Sequence, residues 1–394
     1  MQIIIKLTTN CNLNCVYCSE GTKEKSIFLP KEIFYKLIDE LPELIDFTKE
    51  KKIDFLFHGG EPMLYGREGL LDLINYAKSN LQNIDIKFSM QTNGTLIDEE
   101  WIKFFKKHEI SIGISLDGYP KIHNTNRKTK SGEPTAEKII KNIELLKKEG
   151  INIGTLMVLN SQNIDVNKLF EFIKKYDIQP KINPLIPCGC ASDRKDTDEI
   201  YKSYLELLKK LFEITLQDEK TIIIQPLYDI INTILGVFPI KDCSYDGSCG
   251  KKFISLYPDG KMGFCGRDNE SRKLIYGDLK DSSLLEIYNS ENAKKIRARQ
   301  DYLKENDCKN CSVWELCHGG CAFEAVNQFG KLETKFGRCK EYREFINYLS
   351  TDGLKMLKSA LICEKTKRRN EIKEQKVIFE EMKSIIKEVV SAES

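Results

Sequence analysis

An α/β fold with a parallel sheet, followed by a cysteine-rich region, is predicted for this 394-residue sequence by three observations. Six short β-rich runs alternate with longer runs of helical period. Residues of unusual chemistry gather where the first four β-rich runs end, and beyond about Leu216 the periodicity gives way to cysteine and glycine. Repeated strand–helix order is the pattern of parallel strands joined by crossover helices, in a sheet either open and doubly wound or curved into a barrel.

The β-rich runs are Ile3–Leu7, Ile53–Phe57, Ile84–Met90, Ile110–Leu116, Ile151–Val158 and Ile178–Ile186. Helical stretches are expected at Lys31–Glu50, Leu70–Asn80, Glu99–Lys107, Ala136–Lys148, Val166–Tyr176 and Asp198–Leu216. Parallel sheets and barrels place chemistry at the carboxyl ends of their strands. After the first strand come Thr9, Asn10 and Cys11, and after the second His58-Gly59-Gly60-Glu61-Pro62. Gln91-Thr92-Asn93-Gly94 follows the third, and Ser115-Leu116-Asp117-Gly118 closes the fourth. Residues distant in sequence would meet on one rim. The expected organisation is a barrel-type domain over 1–216, a linker over 217–242, a cysteine-rich domain over 243–348 and a helical extension over 349–394. Leu354 to Val390 reads as a solvated helix packed by one apolar stripe.

Lys and Arg total 61 against 59 for Asp and Glu, which gives no electrostatic case for nucleic acid or an anionic membrane as partner. The apolar stretch Ile222–Ile240 is broken by Gln225, Pro226, Asp229 and Pro239, so it cannot span a bilayer. Met1–Asn10 lacks the basic flank and longer apolar run of a signal peptide, so a cytoplasmic location is expected. In that reducing compartment 14 cysteines point to metal rather than disulfides.

Cys11, Cys15 and Cys18 follow C-x3-C-x2-C, compact enough for one loop to present three thiolates to one cluster. Iron–sulfur clusters usually take four cysteines, so three leave one iron open to a cofactor or substrate. A zinc site with a fourth ligand such as His58 is the alternative reading of the spacing. The triplet, with Tyr17 just before its last cysteine, resembles the signature of the radical S-adenosylmethionine superfamily, and Gly59-Gly60-Glu61-Pro62 resembles that superfamily's second motif.

The resemblance implies a partial (β/α)6 TIM-like barrel in which the open iron chelates S-adenosylmethionine. One electron then cleaves the sulfonium bond, and a 5′-deoxyadenosyl radical abstracts hydrogen from substrate. Carried over by position, Gly59 and Gly60 would let backbone approach the methionyl group, and Glu61 and Pro62 would shape that turn. Tyr17 would lie near the adenine, Ser115 and Arg127 near the ribose or carboxylate, and Leu185 would pack the adenine. Gln91 and Asn93 are further candidates, with turn-capping as their ordinary reading.

The second cysteine field reads Cys308, Cys311, Cys317, Cys321 in C-x2-C-x5-C-x3-C, followed by Cys339, with Cys249, Gly260 and Cys265 upstream. This layout resembles the SPASM extension of peptide-modifying radical enzymes. With Cys243, eight thiolates suffice for two fully ligated four-iron clusters, although two zinc ribbons also fit the count. The sulfatase-maturase branch of the family implies Cys243, Cys249, Cys265 and Cys321 for one auxiliary cluster. Cys308, Cys311, Cys317 and Cys339 would hold the other, for three [4Fe–4S] clusters in all. Cys188, Cys190 and Cys363 remain, with incidental thiols as their default reading and a substrate-facing role open for the first two.

The resemblance is closest to anaerobic sulfatase maturases and maturases of ribosomal peptides. It implies a peptide or protein substrate and a one-electron donor such as flavodoxin or ferredoxin. The sulfatase-maturase branch places an aspartate base directly after the cysteine matching Cys265, and here that residue is Gly266. Asp268 is shifted by two residues, and Asp117 is the alternative base. The expected reaction is therefore hydrogen abstraction from a peptide residue and a thioether or similar crosslink, with oxidation of Cys or Ser to formylglycine as the second reading. No leader-binding domain precedes Cys11, so a separate leader-binding protein is expected or the barrel binds peptide directly. A non-catalytic electron carrier with three clusters is the alternative of another class.

Overall fold

The structure is a computed structural model that describes residues 1–21, 26–220, 222–269 and 272–367, excluding the side chains of 268–269 and 361–367. Six strands, β1 (Gln2–Lys6), β2 (Lys52–His58), β3 (Asp85–Thr92), β4 (Ser111–Ser115), β5 (Ile153–Leu159) and β6 (Pro180–Pro184), lie side by side in chain order and pair in parallel throughout. Helices α1 (Lys31–Thr48), α2 (Arg67–Asn80), α3 (Glu99–His108), α4 (Ala136–Lys148) and α5 (Val166–Tyr176) make the crossovers, and α6 (Thr197–Gln217) follows β6. This is the partial barrel that the family resemblance implied, one of the two arrangements the strand–helix alternation left open, with element ends displaced by at most three residues.

The helices stop where their sequence says they should. α3 starts at Asp98, whose carboxylate accepts the Trp101 N–H at 2.8 Å, and ends at Glu109 in the left-handed conformation behind Lys106 and Lys107. Along β2, Ile53, Phe55 and Phe57 are fully buried against the helices while Asp54, Leu56 and His58 are only half-buried. Period-two alternation therefore aims the second set at the concave side of the sheet.

The outer edge of β1 is not left open. It pairs in parallel with β7 (Phe253–Leu256), and antiparallel β8 (Lys261–Gly263) and β9 (Ile275–Asp278) extend the same nine-stranded sheet. The cysteine-rich segment is thereby anchored to the first strand of the barrel, and the residues after antiparallel β8 lie against that strand's side chains, a Cβ on Gly266 falling 3.3 Å from Lys6 and 3.4 Å from Ile4. Ala322–Phe329 and Cys339–Tyr348 are helical, as is Leu354–Lys367, the described part of the expected tail helix. No helix among the described residues is long and apolar enough to cross a membrane.

Candidate active site and cluster-binding thiols

The loop carrying Cys11, Cys15 and Cys18 is pinned from several directions. Leu13–Cys15 forms a short antiparallel ribbon with Arg127–Thr129, placing Cys15 opposite Arg127, and Val16 donates to the Asn126 carbonyl at 3.0 Å. Asn93 donates to the Cys11 sulfur at 3.8 Å and to Asn12 at 2.8 Å, while Asn12 reaches the Thr95 hydroxyl at 2.8 Å. Burial pushes the Cys11 thiol up to about 11 and the Cys18 thiol up to about 12, with the negative charge of Cys15 adding to both. Cys15 is raised by burial as well, with the Arg127 charge opposing. Cys15 therefore lies within electrostatic reach of both Cys11 and Cys18. Thiolates so desolvated form when a cation supplies the missing charge, which is what an iron cluster does.

Gly59 and Gly60 answer first to the chain itself. A Cβ on Gly59, at φ +135°, would lie 2.5 Å from the Thr8 carbonyl oxygen, and one on Gly60 would lie 2.1 Å from that of Asn10. The two N–H groups of Gly60 and Glu61 donate to Thr8 and Asn10 at 2.8 Å each, so the glycine turn is stitched to the cysteine loop. The Glu61 carboxylate, fully buried, accepts from Thr92 Oγ1 at 2.7 Å, Asn93 N at 2.8 Å and Met63 N at 3.1 Å. Burial raises its pKa to about 7 despite those bonds. Pro62 opens the one-turn helix that follows.

Asp117, the alternative base of the sequence reading, stands at the centre of a buried hydrogen-bond network. It is 1% exposed; Oδ1 accepts the Val158 N–H at 3.1 Å, and Oδ2 takes Arg127 Nε at 3.0 Å, Asn126 Nδ2 at 3.4 Å and the Tyr17 hydroxyl. Burial opposes its ionisation, but the Arg127 charge and these bonds outweigh it and hold the carboxyl below its ordinary range. A carboxylate so saturated has no face for a substrate proton. Arg127 is likewise buried, with its guanidinium 5.3 Å from the Tyr17 ring centroid, so neither residue is a surface group.

Behind Asp117 stands His123, fully buried, whose Nδ1 accepts the Asp117 N–H at 3.1 Å and whose Nε2 lies 3.0 Å from Thr135 Oγ1. Burial holds its pKa down to about 4. Between its unfolded value near 6.5 and about 4 the unfolded chain binds a proton that the folded chain refuses, so stability falls as pH drops through that window. His123 should therefore contribute roughly 2 kcal/mol to the change in urea stability of the cluster-loaded protein between pH 7 and pH 4.5, and His123→Asn should remove that share of the slope. An unchanged slope in the variant would remove His123 as its cause.

Gln91 donates to the Ser115 hydroxyl at 3.0 Å on the concave face, in space left by Gly113, where a Cβ would sit 2.3 Å from Gln91 Oε1. Leu185 is 1% exposed within the main core. Lys6 and Glu20 form a buried ion pair against the His58 imidazole, a grouping that sequence reasoning missed apart from naming His58 as a zinc ligand. Its signal was Lys6 ending an otherwise apolar strand. The Asp268 side chain lies outside the described residues, as does that of Cys363.

The second thiol field separates into two groups. After burial, Cys249 is raised by Cys243 and Cys265 and reaches about 12; Cys321 is raised by Cys249 and Cys265 as well as Glu324. Cys317 also reaches about 12, after burial through Cys339, Cys308 and Cys311, and Cys308 feels Cys311 and Cys339. Cys321 thus lies within electrostatic reach of Cys249 and Cys265. Successive turns carry the chain through this segment, Cys311 N to Cys308 O at 3.1 Å and Gly320 N to Cys317 O at 2.8 Å. Arg299 braces it, giving its buried guanidinium to the carbonyls of Gly319, Gly320, Leu332 and Thr334 at 2.9–3.1 Å. Among the described residues no three His, Cys, Asp or Glu side chains converge as ligands of a single ion. A cluster bound at its corners accommodates thiols that face one another without such convergence. Cys321→Ala should therefore remove the same electron-paramagnetic signal as Cys243→Ala and leave that of Cys308→Ala intact; loss of the Cys308-type signal instead would refute the grouping.

Cys190 N donates to the Cys18 carbonyl at 2.9 Å, and a Cβ on Gly189 would lie 2.1 Å from that oxygen, so the 187–192 loop rests on the first cysteine loop. Beside it opens a cavity of about 210 Å³ whose lining includes Ser19, Cys188, Ser192, Arg267 and Asn327.

Comparison with known proteins agrees with this geometry. Residues 5–173 match the model of the radical SAM superfamily, and residues 243–312 match that of the SPASM iron–sulfur cluster-binding domain. A cysteine-type anaerobic sulfatase-maturating enzyme of Clostridium novyi is 31% identical over 88% of this chain and 94% of its own length. A serine-type counterpart from Bacteroides thetaiotaomicron is 24% identical over 86% and 87%. The solved structure of anSMEcpe with bound AdoMet superposes with a TM-score of 0.77 at 25% identity, covering 92% of this chain and 99% of that one. Streptococcus suis SuiB bound to S-adenosylmethionine shares the fold at a TM-score of 0.60 and 16% identity, over 86% and 77%.

Proposed function

Because this chain belongs to the radical S-adenosylmethionine superfamily and carries a SPASM domain, with S-adenosylmethionine and [4Fe–4S] clusters as its cofactors, we propose that it oxidises a cysteine residue of a peptide or protein substrate. Cys11, Cys15 and Cys18 would hold a cluster that, with S-adenosylmethionine bound, would supply the radical chemistry that removes a hydrogen atom from that residue. The chain's own residues do the rest. Cys11, Cys15 and Cys18 hold the cluster in a loop kept rigid by Asn93, Glu61 and the glycine turn. Asp117 fixes Tyr17 and Arg127 beside it. The two further thiol groups lie on a segment joined to β1 through the shared sheet, a placement suited to taking up the electron left on the oxidised residue.

The observation that carries the reading is the first cysteine loop bonded to the glycine turn at the carboxyl ends of β1 and β2, in a sheet that the cysteine-rich segment extends. Likeness to cysteine-type maturases over nearly the whole chain supports formylglycine as the product. One observation favours a thioether or similar crosslink as a second reading: Gly266, where the branch has its base, carries no side chain, and a Cβ there would lie 3.3 Å from the Lys6 stem. Reduced, reconstituted protein given S-adenosylmethionine and synthetic cysteine-containing peptides is expected to form 5′-deoxyadenosine and a peptide two hydrogens lighter or carrying a hydroxylamine-trappable aldehyde. Absence of 5′-deoxyadenosine would return the chain to the electron-carrier alternative, and the aldehyde against the bare loss of two hydrogens separates the two products.

A further inference from the structure

Lys6 and His58 are register partners at the carboxyl ends of β1 and β2. Since Ile3, Ile5, Phe55 and Phe57 are buried against the helices, alternation turns Lys6 and His58 to the concave side, where the rim residues of the other strands also face. There the Lys6 ammonium, 1% exposed, pairs with Glu20, itself 5% exposed, and lies 3.2 Å from His58 Nδ1. The same nitrogen lies 2.7 Å from the Gly59 N–H.

An ammonium and a backbone amide can only donate, so Nδ1 is the acceptor of both and the ring proton resides on Nε2. Burial, and after it the Lys6 charge, hold the His58 pKa down to about 3, so the ring stays neutral and keeps this tautomer at working pH. Among the described residues no acceptor meets Nε2. Directly over the cluster of charges sits Gly266, the first residue after Cys265, with nothing to project into the space.

We propose that the His58 Nε2–H, locked in place by Lys6 and Glu20, is a substrate-binding donor that takes a neutral acceptor of the peptide residue being oxidised, its thiol sulfur or its backbone carbonyl oxygen. This rests on the peptide-oxidising reading above and adds to it the group that orients the reacting residue where a projecting base is missing. Lys6 and Glu20 act through the imidazole as positioning residues. A donor fixed by two inward bonds loses little freedom when a ligand arrives, which is the physical merit of the arrangement.

The test uses cluster-loaded protein, a synthetic peptide with a single cysteine as probe, and the variants His58→Leu, His58→Gln and Lys6→Met. Removing the donor in His58→Leu should raise the KM for the peptide about tenfold, the worth of one hydrogen bond. His58→Gln, whose amide still donates, should recover most of that loss. Nitrogen-15 spectra of the oxidised protein should place the His58 proton on Nε2, and Lys6→Met should give mixed tautomers. An unchanged peptide KM in His58→Leu, equal impairment in His58→Gln, an equally large shift in the KM for S-adenosylmethionine, or an Nδ1–H tautomer overturns the inference. A wild type that processes the peptide while the variants match it sinks this inference alone. A wild type that processes no cysteine peptide sinks the peptide-oxidising reading and this inference with it.

Discussion

Replacing Cys11, Cys15 and Cys18 together by alanine is expected to abolish cleavage of S-adenosylmethionine while the protein keeps about two-thirds of its iron, two clusters of three. The retained share follows from the chain itself. The other two thiol groups lie on Cys243–Cys339, a segment tied to β1 by a strand pair and braced by Arg299. Loss of activity follows from chemistry, because only a three-thiol group leaves an iron with a vacant position, whereas fully ligated clusters offer S-adenosylmethionine no site. Iron analysis, visible absorption and 5′-deoxyadenosine assay decide it. Retained 5′-deoxyadenosine formation, or loss of all iron, would falsify the assignment of the first loop as the S-adenosylmethionine site.

Gly60→Ala is expected to lower S-adenosylmethionine cleavage at least a hundredfold without unfolding the barrel. The added methyl would meet the Asn10 carbonyl oxygen at 2.1 Å, and that oxygen is backbone, which cannot swing away as the end of a side chain would. The Thr8–Asn10 segment would have to retreat, breaking the 2.8 Å bonds from Gly60 and Glu61 and carrying Cys11 with it. Small displacements of catalytic groups cost rate steeply. The barrel core beneath, centred on Ile5, Phe55 and Phe57, does not touch this methyl. Circular dichroism close to wild type with a depleted first cluster is the expected signature. Full cluster loading with undiminished cleavage would mean that the loop adapts at no cost.

Much of the site was legible because its signals are local. Cys11, Cys15 and Cys18 need only one loop, and the glycine turn needs only the residues after one strand. The helices α4 and α5 coincide with the sequence expectation at both ends, since amphipathic period and cap residues are encoded within a dozen positions. Parallel pairing also followed from alternation, whereas the chain-order arrangement of the strands was left open between a doubly wound sheet and a barrel.

The roles of single polar residues were not legible in the same way. Asp117 at the end of a strand has the chemical type of a base, yet its partners are Tyr17 a hundred residues upstream and Val158 forty-one downstream, and those contacts make it a buried anchor. Lys6 and His58 become neighbours only when β1 and β2 pair in register. Gly59 and Gly60 carry their motif in the sequence, but their need for hydrogen in place of a side chain comes from the Thr8–Asn10 backbone pressed against them.

The sequence by itself determined the three thiolate sets as residues, the strand–helix alternation and hence the chemistry available at the rim. Only the tertiary structure decided that the cysteine-rich segment extends the barrel's own sheet and that the Lys6–Glu20 ion pair lies beneath Gly266. Spacing along the chain governs what one loop can offer. Which loops meet depends on strand register and on the burial energy of cores many residues apart, and neither is written in any single window.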